Sequence, residues 1–334
     1  MLTLEDIELA RRTPGRAALI FLTDRCPVGC AHCSVDSRPD GPRVHDLDAL
    51  QAYVSGILAA PAIELVGITG GEPFTERRAL PATVRQIVAA GRRAVVYTSG
   101  VWARPEGTPG WITQLLPQIA TVVLGVDLFH VDRLGRERFV IALRCLGQAG
   151  TPVVIQVIDD GSTPSEVRAA VDGVRAELPS ARMAIKTTAL LPYGRSEGSG
   201  DIPGHGDHLA CGLVHSPTLR YGGEVLACCN EQLVMGAGPG RLRRNATTAG
   251  EVTEAMSEFR QDPLLRAIGA VGPRALLDLP ELAPLRTRRR RDLCSTCWAI
   301  NDHVTRHGLP RALTALQPPA VQPPAASTAR TEPT

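Results

Sequence analysis

The sequence predicts an α/β protein built on a parallel sheet, and three observations predict it. Six short apolar runs recur between residues 17 and 188, and an amphipathic stretch separates each from the next. That alternation is the pattern of strand, crossover helix and parallel strand. After Leu191-Pro-Tyr-Gly-Arg195 the composition shifts to Ser-Glu-Gly-Ser-Gly-Asp, and a further set of cysteines follows, which predicts a smaller second domain. Periodicity does not separate an open doubly wound sheet from a curved partial barrel, so both stay open at this point.

Residues Met1 to Arg16 read as a short helix or arm leading into the first strand, Ala17–Leu22. The loop Arg38-Pro-Asp-Gly-Pro-Arg43 is marked by its Pro and Gly content. Asp46 to Ala60 is helical, with Leu47, Leu50, Val54 and Leu58 on one face. Ile63–Ile68 is the second strand, and the helix Leu80–Ala90 stops at Gly91, a good residue for a helix end. Ala94–Tyr97 is the third strand, a helix spans Thr113–Ile119, and Thr121–Val126 is the fourth strand. Arg136–Gln148 is helical and ends before Gly150. Val153–Ile158, the helix Ser165–Leu178 and the strand Met183–Thr188 complete the series. Cys145 falls among Val140, Leu143 and Leu146 and reads as core.

With 334 residues the chain is long enough for one large α/β domain and a smaller one. A formal net charge of +2 gives no electrostatic case for a nucleic-acid partner. No stretch is long and apolar enough to span a bilayer, and Met-Leu-Thr-Leu-Glu-Asp lacks the basic start of a secretion signal. The expected compartment is the cytoplasm. There, nine cysteines, several in Cys-x-x-Cys spacing, point to metal or redox use over disulfides. Lys186 is the only lysine, a skew toward arginine that reads as coding composition.

Chemistry concentrates in Cys26-Pro-Val-Gly-Cys30-Ala-His-Cys33, three thiols in eight residues directly after the first apolar run. Three cysteines can fix three corners of a cubane cluster and leave one iron open. Zinc, with His32 or a distant residue as fourth ligand, is the alternative reading of the same spacing. The second strand leads into Thr69-Gly-Gly-Glu-Pro73. Paired glycines allow close backbone approach, and Glu72 adds a carboxylate suited to an ammonium group. In this order, the two motifs resemble the radical S-adenosylmethionine (SAM) superfamily.

The resemblance implies a (β/α)6 partial barrel, a [4Fe–4S] cluster on Cys26, Cys30 and Cys33, and SAM chelating the fourth iron. Gly70, Gly71, Glu72 and Pro73 would receive its methionine end. His32 departs from the family, which usually has an aromatic residue there; this reads as altered packing under the cluster. Ligands of such sheets lie at the carboxyl ends of the strands. That nominates Thr98, Ser99, Asp127, His130, Gln156, Lys186 and Thr188 as mouth residues. Ser99 and Asp127 are SAM contacts by resemblance or caps of the following turns. His130, within a Gly125-Val-Asp-Leu-Phe-His sequence where peptide-modifying relatives carry a Ser-x-Asp-Gly type, is a substrate or SAM contact or a solvated loop residue. Lys186 is a catalytic candidate or a paired interior lysine.

In the second region Tyr221-Gly-Gly-Glu-Val-Leu-Ala-Cys228 reads as a hairpin whose strand carries the thiol. Cys211, Gly223, Cys228 and Cys294-Ser-Thr-Cys297 together resemble the twitch form of SPASM subdomains. The resemblance implies a second, auxiliary [4Fe–4S] cluster on Cys211, Cys228, Cys294 and Cys297, with a structural zinc site as the alternative. Cys229 is a core residue, an alternate ligand or a catalytic thiol that gives a hydrogen atom to a substrate radical. Arg286-Thr-Arg-Arg-Arg-Arg291 reads as a solvated face, with an anionic substrate as the other possibility, and the Pro/Ala-rich stretch from Leu309 as a disordered tail. The expected boundaries are 1–16 for the arm, 17–195 for the barrel, 196–308 for the auxiliary region and 309–334 for the tail.

By resemblance, one electron cleaves SAM to methionine and a 5′-deoxyadenosyl radical, which takes hydrogen from an unactivated C–H bond. Flavodoxin or ferredoxin is the implied donor. The first strand begins near Ala17, which leaves no room before it for a leader-binding domain in this sequence. That favours a small natural-product intermediate of sugar, aminocyclitol or nucleoside type, with a ribosomally made peptide as the alternative. A metal-binding scaffold without catalysis is the third reading, and it leaves Gly70-Gly-Glu-Pro73 without purpose.

Overall fold

The computed structural model describes residues 2–126, 134–158, 163–188, 190, 193–196, 210–287, 290 and 292–315. Of the predicted mouth residues, Asp127 and His130 lie outside these. The six expected strands are present as β1 (Ala17–Phe21), β2 (Leu65–Thr69), β3 (Arg93–Thr98), β4 (Thr121–Val126), β5 (Val153–Ile158) and β6 (Met183–Thr188). Each pairs in parallel with the next, and the complete sheet runs β6-β5-β4-β3-β2-β1-β7-β8-β9. A doubly wound sheet reverses its order at a switch point, and β1 to β6 do not reverse. Right-handed crossovers between successive neighbours put their helices on one face. The doubly wound alternative is thereby excluded.

The connecting helices are α2 (Leu47–Leu58), α3 (Ala79–Ala89), α4 (Gly110–Leu115), α5 (Arg136–Gln148) and α6 (Thr163–Glu177). Asp46 caps α2 by accepting from the Ala49 amide. The helix expected at Thr113–Ile119 instead starts earlier and breaks at Leu116–Gln118 into a 3-10 turn. Pro117 explains the break, because it has no N–H with which to continue the α ladder.

Strand alternation sorts the side chains. Ile20, Val66, Val96, Leu124 and Ile155 face the helices and pack with Leu50, Leu80, Ile87 and Leu143, all at most 1% exposed. Ala17, Leu65, Val95, Val123 and Val154 face the other way and pack on Leu2, Ile7 and Ala10. Ile7 and Ala10 belong to α1 (Leu4–Arg12), started by a Thr3–Asp6 capping box. The expected arm is therefore a helix on the inner face of the sheet. It covers only the lower part: nearer the carboxyl ends Thr69, Tyr97, Gly125, Gln156 and Lys186 are half-buried.

Beyond residue 210 the chain extends the same sheet. β7 (Thr218–Arg220) pairs in parallel with the free edge of β1, Leu19 opposite Thr218. β8 (Glu224–Leu226) and β9 (Arg243–Asn245) follow antiparallel. The predicted hairpin is present, but its second strand ends at Leu226, so Cys228 lies past the strand and not on it. Helices α7 (Glu231–Val234), α8 (Ala249–Gln261), α9 (Pro263–Val271), α10 (Pro273–Leu276) and α11 (Leu293–His307) complete the region. The expected tail starts too early: α12 (Arg311–Thr314) buries Leu313 in the main core. In the arginine run, Arg286 is exposed and pairs with Asp278. Among the described residues no helix is long and apolar enough to cross a membrane.

Candidate functional site

β1 and β2 are neighbours in the sheet, so the loops leaving their carboxyl ends meet. The first carries Cys26, Cys30 and Cys33, the second Gly70, Gly71, Glu72 and Pro73. Their backbones are hydrogen-bonded to each other: the Gly71 amide donates to the Thr23 carbonyl (2.6 Å) and the Glu72 amide to the Arg25 carbonyl (2.8 Å). A side chain at Gly70 would put Cβ 2.6 Å from the Thr23 oxygen, and one at Gly71 would put it 2.3 Å from the Arg25 oxygen. Gly70 also has φ 149°, outside the range that other residues favour. Two motifs separated in sequence are thus one physical unit.

Glu72 is fully buried. Its carboxylate accepts from the Thr98 hydroxyl (2.8 Å), the Ser99 amide (2.9 Å), the Ser99 hydroxyl (2.5 Å) and the Phe74 amide (3.1 Å). Burial pushes its carboxyl up from the usual range, while these donors pull it down. Ser99 and Thr98 therefore reach Glu72, tying the end of β3 to the end of β2.

All three thiols of the first loop are free of disulfides, Cys30 buried and Cys26 and Cys33 half-buried. Burial first, then the charge of Glu72, pushes the Cys26 thiol up to about 12. The Ser37 amide donates to Cys33 Sγ at 3.3 Å. A residue outside the two motifs clamps the loop. Arg195 donates through Nε to the Cys30 carbonyl (2.8 Å) and through Nη1 to Asp36 and the Ser37 carbonyl (both 2.9 Å). Its own amide donates to the Cys33 carbonyl at 3.0 Å. Asp24, on the same loop, accepts from Arg220 (2.8 Å) and the Tyr221 hydroxyl (2.7 Å), which joins the loop to the β7–β8 turn.

The second cysteine set lies at the opposite end of the sheet. Cys211 precedes β7, which is parallel to β1, and Cys228 follows β8, which is antiparallel. Both positions fall at the amino ends of the parallel strands. Cys294 is in the first turn of α11 and Cys297 at the start of the second, and the helix N-terminus is capped by Asp292 with Ser295. Asn230 Nδ2 donates to Cys294 Sγ (3.4 Å) and Asn301 Nδ2 to Cys297 Sγ (3.5 Å). Burial raises all four thiols, Cys297 to about 12, and the neighbouring cysteines raise them further. Cys211 thus stands within electrostatic reach of Cys294 and Cys297, and Cys228 within reach of Cys211 and Cys297. Among the described residues no three His, Cys, Asp or Glu side chains converge as they would on one metal ion. Seven thiols in two sets, none in a disulfide, fit thiolate-bound metal clusters by the chemistry of the donors.

Helix α1 connects the two ends. Lys186, on the inner face of β6, is ion-paired with Glu8. Arg11 Nη2 donates to Cys229 Sγ at 3.2 Å and stands within electrostatic reach of Tyr97 and Glu231. Cys229 is half-buried and turned to α1. Cys145 is half-buried against the core, with its Sγ 3.2 Å from the Thr108 hydroxyl. Arg195, Arg11 and Asp24 escaped the sequence reading, since nothing in their spacing shows that they reach a loop or a thiol.

No protein-family model matches the chain, and no curated protein sequence does. Solved structures with a similar arrangement include Streptococcus suis SuiB (13% identity, 87% of this chain and 72% of that chain, TM-score 0.46). BtrN in complex with AdoMet and 2-DOIA is another (15% identity, 78% and 86%, TM-score 0.43). Native anSMEcpe with bound AdoMet and the Cp18Cys peptide is a third (13% identity, 72% and 80%, TM-score 0.47).

Proposed function

We propose that the chain is a radical SAM enzyme, with a (β/α)6 partial barrel as its catalytic part and a twitch-like region beyond it. One observation carries the reading. The three-cysteine loop and the Gly-Gly-Glu-Pro loop leave adjacent parallel strands and are hydrogen-bonded to each other. Cys26, Cys30 and Cys33 would hold a [4Fe–4S] cluster, and Gly70 and Gly71 would border the methionine end of SAM. When bound, this pair supplies a one-electron cleavage of SAM and a carbon radical that takes a hydrogen atom from the substrate.

The chain's own residues do the positioning. Glu72, occupied by Thr98, Ser99 and the Phe74 amide, holds the glycine loop in place. Arg195 holds the cysteine loop. The half-buried inner-face groups Tyr97, Gln156 and Lys186 lie toward the carboxyl ends of β3, β5 and β6 and would face the substrate. Leu2, Ile7 and Ala10 cover the lower part of the same face with apolar packing. The polar groups of Tyr97, Gln156 and Lys186 favour a small polar substrate of sugar, aminocyclitol or nucleoside type. Lys186, paired with Glu8, would contact the substrate, and Cys229, held by Arg11, would be the thiol that gives a hydrogen atom to the substrate radical. Cys211, Cys228, Cys294 and Cys297 would hold an auxiliary [4Fe–4S] cluster, four protein ligands leaving no open iron.

The test is iron and sulfide content, with EPR, after anaerobic reconstitution of wild type and Cys26→Ala/Cys30→Ala/Cys33→Ala. About eight irons are expected to fall to about four, with SAM perturbing only the lost signal. SAM cleavage to methionine is expected in the wild type alone. Zinc at both sites would overturn the reading, and zinc at the second alone would remove the auxiliary cluster.

A further inference from the structure

If the carboxyl-end site works as proposed, it takes one electron from outside in each cleavage, and the structure contains a surface suited to deliver it. We propose that the groove between α3 and α4, rimmed by Arg77, Arg78 and Arg85, docks an acidic electron-carrier protein of the flavodoxin type. This rests on the radical SAM reading and adds the partner surface to it.

The groove has a volume of about 360 Å³ and combines an apolar floor with a cationic rim. Pro81, Ala82 and Leu115 are buried beneath it, Trp111 is half-exposed, and the three arginines are exposed. None of the three guanidinium groups is in an ion pair among the described residues, so their charge faces solvent. Uncompensated positive charge around an apolar patch selects a partner with the opposite potential and speeds its arrival.

The groove also leads inward. Trp111 packs on Phe74 at 6.1 Å between ring centroids, and Phe74 on Trp102 at 5.3 Å. Phe74 follows Pro73 directly, and the Glu72 amide donates to the Arg25 carbonyl, one residue from Cys26. Packed rings, a few covalent bonds and one hydrogen bond therefore join the groove floor to the proposed ligand loop. The carrier would be oxidised by one electron, and a cluster held by Cys26, Cys30 and Cys33 would be reduced by one. No bond in the protein breaks, and the rings stay neutral. Another depression, of about 460 Å³, is rimmed by Arg104, Arg138 and the carboxylate of Glu106 and is lined by no aromatic residue. It has neither the unbroken charge nor the inward path.

The experiment has two arms. In the first, an acidic flavodoxin is titrated calorimetrically at low salt against wild type, Arg77→Glu/Arg78→Glu/Arg85→Glu, and the milder Arg77→Gln/Arg85→Gln. Affinity is expected to drop roughly tenfold or more on charge reversal, less on neutralisation, and to weaken with salt in the wild type. In the second, SAM cleavage is driven by reduced flavodoxin or by dithionite, which needs no docking surface. The reversal variant should lose the flavodoxin-driven rate and keep the dithionite-driven one, which also shows that it folds. Unchanged flavodoxin binding and unchanged flavodoxin-driven cleavage would overturn the proposal. Absence of cleavage by the wild type under dithionite would instead overturn the radical reading, while the titration still judges the groove.

Discussion

The cysteines at the carboxyl end of the sheet come from one loop of eight residues, whereas those at the amino end come from three separate segments. The first set is held by backbone: glycine amides on carbonyls, Arg195 on carbonyls, and a carboxylate sealed by four donors. The second is held by helices and amide side chains, through Asn230, Asn301 and the capped start of α11. A loop pinned through its backbone leaves its thiols free for a cofactor that must also bind a second molecule. The first set is thus positioned through its backbone and the second through amide side chains and a helix cap.

The largest effect should come from breaking the first set alone. In Gly71→Ala the new Cβ meets the Arg25 carbonyl at 2.3 Å, with backbone on both sides and no flexible side chain to yield. Forcing a methyl into such a packed contact costs about 2–3 kcal/mol. The expected result is a lower urea midpoint and loss of about four of about eight irons, with the second cluster kept. Full iron loading with SAM still bound would show that the glycine loop does not hold the cysteine loop in place.

A smaller effect sharpens the other side of the comparison. Asp292 caps α11 by accepting from the Ser295 amide at 2.6 Å, and Ser295 returns the bond to the Asp292 amide at 3.2 Å. Asp292→Ala should cost about 1 kcal/mol, the usual loss for a removed cap. It should loosen iron at Cys294 and Cys297 in a chelator challenge and leave the SAM-sensitive EPR signal unchanged. Equal loss from both clusters would mean that the two ends are not independent.

The same contrast explains what could be read from the sequence. Cys26, Cys30, Cys33 and Gly70 to Pro73 are local motifs, and their strands are long enough for their apolar character to show. β7, β8 and β9 have three residues each, too few for alternation to register. That these strands continue the first sheet is a tertiary fact. The helices between Ala249 and His307 carry ordinary capping signals, Thr248 with Glu251 and Asp292 with Ser295, which a reading centred on cysteines passes over. The approach of Cys211 to within electrostatic reach of Cys294 and Cys297 depends on α11 folding back, and only resemblance suggested it. Glu72 shows the limit within a motif. Its residue type suggested a carboxylate open to an ammonium group, but the structure turns it inward to Thr98 and Ser99. Nor does the spacing of Ile7 and Ala10 say which surface α1 covers.

The smallest expected effect concerns α1, the element that lies between the two ends. Glu8 is paired with Lys186, and both side chains are about one-third exposed, at 35% and 32%. The hydrogen bond from Lys186 holds the Glu8 carboxyl below its usual range, and the lysine charge adds to it. A carboxyl lowered on folding contributes stability that is present above its unfolded value, near 4.5, and is lost as pH falls through the folded value. Solvent screening keeps that contribution to about 0.5 kcal/mol. Glu8→Gln should therefore be slightly less stable than wild type at neutral pH, and the gap should close in urea titrations as the pH drops below 4.5. If the pair also orients substrate, the variant should raise KM much more than so small a stability loss explains, because an unneutralised lysine would then face the inner space. A change in stability with no change in KM would make α1 a structural floor only, leaving recognition to the residues above it.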